Sequence, residues 1–301
     1  MTHETGLATL IVVGEDAPSS QDIDVPSTVA VGIALTTDPQ MTRGLLEQFC
    51  LALADATGLQ VIPSGVTSYR RLLEQCARGE VDLVWLPPIP ALRATAAGHV
   101  KPIALPVRGG ESSYHAALFS RRDSRIREVA DLERLRAAWV EPQSASGYLI
   151  IRAYLKQLGV DLDEAFRENM FVGSHDAVTE SVTSGKSDVG ATFAHFRDDG
   201  GIRRAGWGDA DVQVVVSAGP IPNDLIAARK GASDLLVRLV QSALVDVQNA
   251  NLRSAARLLL TAEGFTAPTP EHLAPLEGLL AGLTEATDLP HSMFPPPATM
   301  S

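Results

Sequence analysis

Residues 137–148 read Ala-Ala-Trp-Val-Glu-Pro-Gln-Ser-Ala-Ser-Gly-Tyr, a short apolar run that leads through a small polar loop into an amphipathic stretch. The apolar run 137–140 predicts a strand, and the spacing of apolar residues over 148–158 predicts a helix. Small residues before a helix leave its first backbone N–H groups accessible, and Ser144 and Ser146 add hydroxyl donors. Such a loop either caps its own helix or binds an anion.

The rest of the chain continues this alternation of strands and helices, which is typical of an α/β fold. Predicted strands are 28–35, 60–63, 81–86, 102–107, 114–120, 137–140, 169–172, 189–193 and 212–217. Predicted helices are 41–57, 69–78, 89–98, 126–135, 148–158, 176–184, 235–251 and 253–262. Two similar halves followed by a helical C-terminal segment indicate two lobes around a cleft.

Charge and hydropathy exclude several classes of protein. The net charge of -11, from 36 acidic and 25 basic residues, argues against binding of nucleic acid or of an anionic membrane. No segment reaches the roughly 18 apolar residues of a membrane helix, so we expect no membrane insertion. The first 25 residues carry five carboxylates and no Lys or Arg, unlike a secretory leader. We therefore expect a cytoplasmic chain, or a periplasmic one if another route exports it.

Cysteines and histidines offer little sign of a metal or redox site. Cys50 and Cys76 each lie within a predicted helix, and we expect buried thiols rather than a disulfide. A metal site built from His115, His175 and His195 is an alternative, because histidine is the commonest metal ligand. No close spacing with a carboxylate supports it, so we expect neither a metal nor a cofactor.

Five ordered segments resemble the PhnD-like solute receptors of ABC transporters, which bind phosphonate, phosphate or phosphite. The segments are YHAALFSRRDS (114–124), EPQSASGYL (141–149), GSHDAV (173–178), GKSDVG (185–190) and IPND (221–224). The resemblance covers about residues 27–289. It implies the type 2 periplasmic-binding-protein fold, in which two α/β lobes, joined by two crossing hinge strands and completed by a C-terminal helical segment, close like a venus flytrap.

The same resemblance implies a division of the chain into lobes. Lobe 1 would comprise residues 26–119 and 219–289, and lobe 2 would comprise residues 120–218. Residues 1–25 would form an acidic N-terminal extension, and residues 290–301 would form a loose tail, since chain ends without packed apolar residues are seldom ordered.

The loop at the start of the predicted helix matches the family's anion-binding loop. By resemblance, Ser144 and Ser146 are the hydroxyls that hold phosphonate oxygens, with Gly147 in the same ligand-binding loop. Ala145 stands where the family usually has another hydroxyl residue, which removes one donor. Pro87 stands where the family often has Gly, and proline has no backbone N–H to offer.

Further ligand-binding roles also come from the resemblance. Tyr69 and Tyr114 match tyrosines that reach the ligand, and His175 matches a histidine that contacts the anion. Asp224 matches an acidic residue that helps hold the amine in receptors for amino-phosphonates. His195 stands where those receptors have a second carboxylate. This exchange favours phosphate, phosphite or an acidic phosphonate over an aminoalkyl ligand.

The implied function is binding of a small oxyanion without chemistry, and the partner is an ABC permease or, inside the cell, a regulatory protein. A hydrolase built from Ser146, His175 and either Asp224 or Asp176 is disfavoured because the serine lies outside a Gly-x-Ser-x-Gly elbow. The remaining alternative is a cytoplasmic enzyme of the menaquinone-biosynthesis type, which has the same fold and acts on an aromatic carboxylate.

Overall fold

The computed structural model describes residues 26–35, 38–270 and 272. The acidic N-terminal extension at 1–25, the tail at 290–301 and most of the final stretch before it lie outside the described residues. Across the described ranges, no helix is both long enough and apolar enough to cross a membrane.

Strands and helices alternate along most of the chain, as predicted. The strands are β1 (Thr28–Ala34), β2 (Gln60–Val66), β3 (Leu83–Leu86), β4 (Val100–Val107), β5 (Ser113–Arg121), β6 (Leu135–Trp139), β7 (Phe166–Phe171), β8 (Val189–Phe196), β9 (Ile202–Ala205), β10 (Val212–Pro222), β11 (Leu225–Arg229) and β12 (Gly264–Thr266). The α-helices are α1 (Pro39–Thr57), α2 (Tyr69–Ala77), α3 (Pro88–Ala96), α4 (Ile150–Gln157), α5 (Leu162–Ala165), α6 (His175–Thr183), α7 (Asp234–Val245) and α8 (Ala250–Leu260). A π-helical turn, Ala145–Leu149, runs directly into α4.

The first sheet has the strand order β12-β4-β11-β3-β1-β2, and β1 is parallel to both β2 and β3. Because alternate residues of a strand point to opposite faces, each strand contributes to two cores. Val31 and Leu83 pack with α1, α7 and α8, whereas Val84 and Leu86 pack with α2 and α3. Helices on both faces explain why these strands are almost continuously apolar.

The two cysteines lie in the cores on opposite faces of this sheet, Cys50 in α1 and Cys76 in α2. Both are buried free thiols, which confirms the prediction. Burial raises the pKa of Cys50 to about 12 and that of Cys76 to about 11, so both thiols stay protonated and unreactive.

The second sheet has the order β10-β5-β8-β6-β7, with β9 paired to the end of β8. Strand β6 is parallel to β7 and β8, and β5 runs antiparallel to β8 and β10. Helices α4 and α5 pack against one face around Leu118 and Trp139, and α6 packs against the other around Phe119 and Val178. The structure therefore confirms an α/β fold of two lobes, each with its own sheet.

The chain crosses between the sheets at residues 108–112 and 223–224, which we call the crossing segments. Lobe 1 was expected to extend to residue 119, but β5 pairs along its whole length with β10 of the second sheet. Residues 113–119 therefore pair in the second sheet. The apolar pattern of a strand shows that it is buried but not which of two sheets it joins, so the sequence places this boundary too late.

Residues 126–135 do not form the predicted helix. They contain a short 3-10 turn, because the Asp131 carboxylate accepts the N–H groups of Arg127 and Glu128. The turn ends at Leu132, and the left-handed backbone of Arg134, with φ 50, keeps the following residues from continuing as a helix. Side-chain acceptors of this kind compete with the helical hydrogen-bond pattern, and the three-residue apolar spacing does not reveal them.

The predicted helix 235–251 is divided into α7 and the start of α8. Asp246 takes an extended backbone and accepts the N–H of Gln248, and Asn249 caps α8 by accepting the N–H of Leu252. The sequence pattern also misses α5, β9, β11 and β12, which are too short to show a periodicity.

A carboxylate ahead of a central strand stabilises each sheet in the same way. Asp82 precedes β3, accepts the N–H of Ala30 at 2.9 Å and pairs with Arg229 at 2.9 Å. Asp188 precedes β8, accepts the N–H of Arg136 at 2.8 Å and pairs with the guanidinium of that residue at 2.7 Å. Each carboxylate supplies an acceptor where strand pairing begins, and an arginine balances its charge.

Asp82→Ala should lower the free energy of unfolding by about 2–3 kcal/mol, because it leaves a buried N–H without an acceptor and a half-buried guanidinium without its charged partner. Urea unfolding followed by circular dichroism measures the change. Asp123→Ala is the matched control, since it removes a pair with Arg121 in which the Asp123 side chain is 79% exposed. We expect the control to keep the wild-type midpoint; equal losses in both variants would contradict the role given to Asp82.

Candidate functional site

Four helical segments begin where parallel strands end. Helices α2, α3 and α6 follow β2, β3 and β7, and the π-helical turn follows β6. Free N–H groups and the helix dipole make this edge of a parallel sheet favourable for anions. Ile89 and Leu92 of α3 lie in the same buried cluster as Tyr148 and Leu149 of the second lobe. The start of α3, which follows a strand of the first sheet, therefore belongs to the same core as the π-helical turn of the second lobe.

The Ser-Ala-Ser-Gly loop is the first turn of a helix. Leu149 donates its N–H to the Ser144 carbonyl at 2.9 Å, and Ile150 donates to the Ala145 carbonyl, which is the five-residue spacing of a π-helix. The Ser144 hydroxyl accepts the N–H of Gly147 at 3.1 Å. The helix thus begins three residues earlier than predicted. Widened turns of this kind are rare and are frequently found at functional sites.

Close packing determines which atoms of the turn face outward from the core. A Cβ added to Gly147 would lie 2.4 Å from Val140 Cγ2 and 2.7 Å from Ser144 Oγ, so only glycine fits. The Ala145 methyl group packs against the apolar cluster of the second lobe. The contribution that Ala145 can make to a ligand is therefore its backbone N–H, which as the first of the helix has no intrahelical acceptor.

Ser146 and Tyr114 form the centre of the candidate site. Ser146 is only 4% exposed, and its side chain lies close enough to the Tyr114 phenol on β5 to lower the pKa of that group. Burial raises the pKa of Tyr114 and Asp224 raises it further, while Arg108 and the nearby Ser146 hydroxyl act in the opposite direction. The phenol therefore stays protonated and is a neutral hydrogen-bond donor.

Asp224 does not lie open to a ligand, because it forms an ion pair with Arg108 across the two crossing segments. Arg108 Nη2 lies 2.6 Å from Asp224 Oδ2. The same guanidinium donates to the Leu260 carbonyl at 2.8 Å and to Thr261 Oγ1 at 3.1 Å, at the C-terminal end of α8. The carboxylate assigned to a ligand amine is thus neutralised within the protein.

His175 is the first residue of α6, and Ser174 caps that helix by accepting the N–H of Ala177. His175 Nδ1 lies 2.6 Å from the hydroxyl of Thr192, a residue with no exposed surface. Burial lowers the pKa of His175, and Asp176 opposes this shift. A neutral imidazole whose Nδ1 accepts from Thr192 carries its proton on Nε2 and can donate it to an anion.

His195 is 5% exposed, and both of its ring nitrogens are engaged. Nδ1 contacts the Glu111 carboxylate, and Nε2 accepts from Arg204 Nη2 at 3.0 Å. Arginine can only donate, so the imidazole proton lies on Nδ1 and points to Glu111. Burial lowers the pKa of His195, Glu111 opposes this, and Arg204 and Arg203 lower it further. The ring centroids of His195 and Tyr114 lie 6.3 Å apart, so the two side chains are neighbours.

Tyr69 is the remaining residue predicted to contact the ligand. Tyr69 begins α2, after the capping residue Ser68, and packs against the core beneath α2 and α3. Its contact with the ligand stays a prediction.

In the described part of the chain, no three His, Cys, Asp or Glu side chains form a group that could hold a metal ion.

Four polar residues around the site were not predicted from the sequence: Arg108, Glu111, Thr192 and Arg204. Arg108-Gly-Gly-Glu111 lies between the predicted strands 102–107 and 114–120. Two opposite charges around a Gly-Gly turn could have marked Arg108 and Glu111 as candidates. Nothing comparable marks Thr192, which lies inside an apolar strand, or Arg204, which lies in a polar Gly-rich stretch.

Comparison with known proteins gives one family and a consistent set of solved structures. The family model described as ABC transporter, phosphonate, periplasmic substrate-binding protein matches residues 31–273. The Xanthomonas citri protein XAC2383, solved with chloride, is 22% identical with a TM-score of 0.67, over 86% of this chain and 98% of that chain. PhnD1 from Prochlorococcus marinus, solved with methylphosphonate, is 15% identical with a TM-score of 0.58, over 87% and 100%.

A third structure, a binding protein component of an ABC phosphonate transporter from Pseudomonas aeruginosa, is 21% identical with a TM-score of 0.57, over 88% of this chain and 91% of that chain. At these identities the likeness concerns the fold. The family match covers both sheets, apart from the first three residues of β1, and every residue of the candidate site described above.

Gly147→Ala should lower the urea midpoint, because the new Cβ would overlap Val140 and the capping hydroxyl of Ser144. Gly44→Ala is the matched control: Gly44 lies inside α1 with no heavy atom within 4 Å of an added Cβ. The control should raise the midpoint, since alanine reduces the entropy of the unfolded chain. A Gly147→Ala variant as stable as the wild type would show that the turn can widen without cost.

Proposed function

Because the chain belongs to the family of periplasmic substrate-binding proteins of phosphonate ABC transporters, we propose that it binds a tetrahedral oxyanion between its lobes. The ligand class is phosphonate, phosphate or phosphite. The observation that carries the proposal is the close approach of the buried Ser146 side chain, in the π-helical turn, to the Tyr114 phenol on β5. Both hydroxyls can turn toward an anion in the cleft.

The proposed site binds its ligand through neutral donors. The N–H groups of Ala145 and Ser146, the hydroxyls of Ser146 and Tyr114, and the Nε2 proton of His175 would surround the oxyanion. A hydrogen bond to a charged group contributes about 1.5–3 kcal/mol, and a helix dipole adds about 0.3–1 kcal/mol. Several such donors are sufficient for tight binding without an arginine in direct contact.

The family and the structural neighbours are substrate-binding proteins rather than enzymes, so neither enzyme alternative is retained. PhnD1 was solved with methylphosphonate, and the Xanthomonas citri protein was also solved with ATP. Both ligands carry a tetrahedral phosphorus centre, which supports the proposed ligand class. ATP therefore belongs beside the small oxyanions among the compounds to be tested.

Closure of the lobes around the ligand would be the signal that a partner recognises. Proteins of this family deliver their ligand to an ABC permease, and we take delivery as the output of closure here. Sensing inside the cell, through the regulatory protein that was the other expected partner, is the alternative output. Fractionation of cells that carry the native gene separates the two, since delivery requires the protein to be recovered with periplasmic proteins.

Isothermal titration calorimetry with phosphate, phosphite, methylphosphonate, 2-aminoethylphosphonate and ATP tests the proposed function. Ser146→Ala and His175→Ala should each weaken binding of the preferred ligand about ten- to hundredfold, because each removes one donor to a charged group. Ser184→Ala, at the opposite end of α6 from His175, is the matched control and should bind as the wild type does. No heat with any of the five compounds would overturn the proposed function.

A further inference from the structure

The two crossing segments contain two carboxylates, and both are paired within the protein. Glu111 contacts His195 Nδ1, and its Oε1 lies 3.2 Å from Arg203 Nη1. Asp224 is held by Arg108 at 2.6 Å. With Arg204 on the other side of His195, three arginines face two carboxylates around a neutral histidine. The local charge between the lobes is therefore slightly positive, although the whole chain is acidic.

Arg108 is fixed in place before any ligand arrives. Besides Asp224 it donates to the Leu260 carbonyl and to Thr261 Oγ1, both in the first lobe. The side chains of Arg108 and Asp224 are only 22% and 20% exposed. Such anchoring distinguishes the pair from a surface ion pair, in which both side chains remain free to separate.

The Arg108–Asp224 pair borders the proposed binding site. Tyr114 is paired in the sheet with Ile221, three residues before Asp224. The charges of Asp224 and Arg108 both act on the pKa of the Tyr114 phenol, and the Ser146 side chain lies close enough to act on it as well. A ligand bound against Ser146 and Tyr114 would therefore lie within the field of the pair, and any change in the balance of the pair would act on the ligand.

We propose that Arg108 determines the charge selectivity of this site. By holding Asp224 in an ion pair, Arg108 withdraws the carboxylate that a cationic group on a ligand would require. The site then accepts oxyanions that carry no ammonium group and disfavours aminoalkyl phosphonates. This inference rests on the proposed function, and it adds to it the residue that separates the two ligand classes.

Removing Arg108 and removing Asp224 should shift the ligand selectivity in opposite directions. Arg108→Gln leaves the negative charge of Asp224 unbalanced, which attracts an ammonium group and repels the oxyanion. Asp224→Asn leaves the positive charge of Arg108 unbalanced, which has the reverse effect. One uncompensated charge several ångströms from the ligand in a half-buried site changes affinity by about tenfold. The double variant carries neither charge and should return close to the wild-type preference.

The measurement is the ratio of the dissociation constants of methylphosphonate and 2-aminoethylphosphonate, by calorimetry at neutral pH, for the wild type and the three variants. The wild type should prefer methylphosphonate, and Arg108→Gln should shift the ratio about tenfold toward 2-aminoethylphosphonate. A purely structural role for Arg108 would weaken both ligands equally and leave the ratio unchanged. Circular dichroism confirms that each variant is folded.

Arg229→Gln is the matched control, because it breaks a similar half-buried pair with Asp82. That pair lies at the N-terminal end of β3, away from the candidate site. It should lower stability without changing the ratio; if it does not fold, Lys101→Gln, in an exposed pair, takes its place. An unchanged ratio in Arg108→Gln, with methylphosphonate still bound by the wild type, overturns this inference alone. A wild type that binds neither compound overturns the proposed function and this inference with it.

Discussion

Asn223 fixes how the two lobes are joined, and the candidate site depends on that junction. Its N–H donates to the Ser112 carbonyl at 2.8 Å, and its Nδ2 donates to the carbonyls of Pro106 and Glu111, each at 2.9 Å. Asn223 is 4% exposed, so these donors would be costly to leave without acceptors. The amide therefore holds the two crossing segments together.

The junction sets the register of β5 and β10, and with it the residues on either side of the site. Tyr114 lies two residues beyond Ser112, and Asp224 directly follows Asn223. Arg108 then reaches Asp224 from the other crossing segment, and Glu111 reaches His195. One buried amide thus brings together a set of neutral donors and a set of paired charges beside them. The donors bind the ligand, and the paired charges determine which ligands the donors accept.

Much of the fold was predictable from the sequence, because most strands and helices are long enough to show a period. The resemblance of five segments gave the two-lobed topology and pointed to Ser144, Ser146, Tyr114 and His175, which the structure places on helix starts or on β5. The π-helical turn was not predictable, since the same small residues also suit a plain capping loop. The sheet to which β5 belongs was equally hidden, because both sheets bury apolar strands.

The pairing of charged residues between the lobes could not be predicted from the sequence. Asp224 and His195 were predicted as ligand contacts by position, yet their partners, Arg108 and Glu111, lie 116 and 84 residues away along the chain. Pairings at such separation depend on the crossing geometry and not on any local pattern. Identifying them required the folded arrangement of both crossing segments.

The decisive measurement is a crystal structure of the protein with methylphosphonate. We expect electron density for the phosphonate group against the N–H groups of the π-helical turn, within hydrogen-bond distance of the Ser146 and Tyr114 hydroxyls. The Arg108–Asp224 pair should stay intact beside the ligand. Density for methylphosphonate at another place in the molecule, or a cleft that stays free of it at saturating concentration, would show that the ligand site has been wrongly assigned.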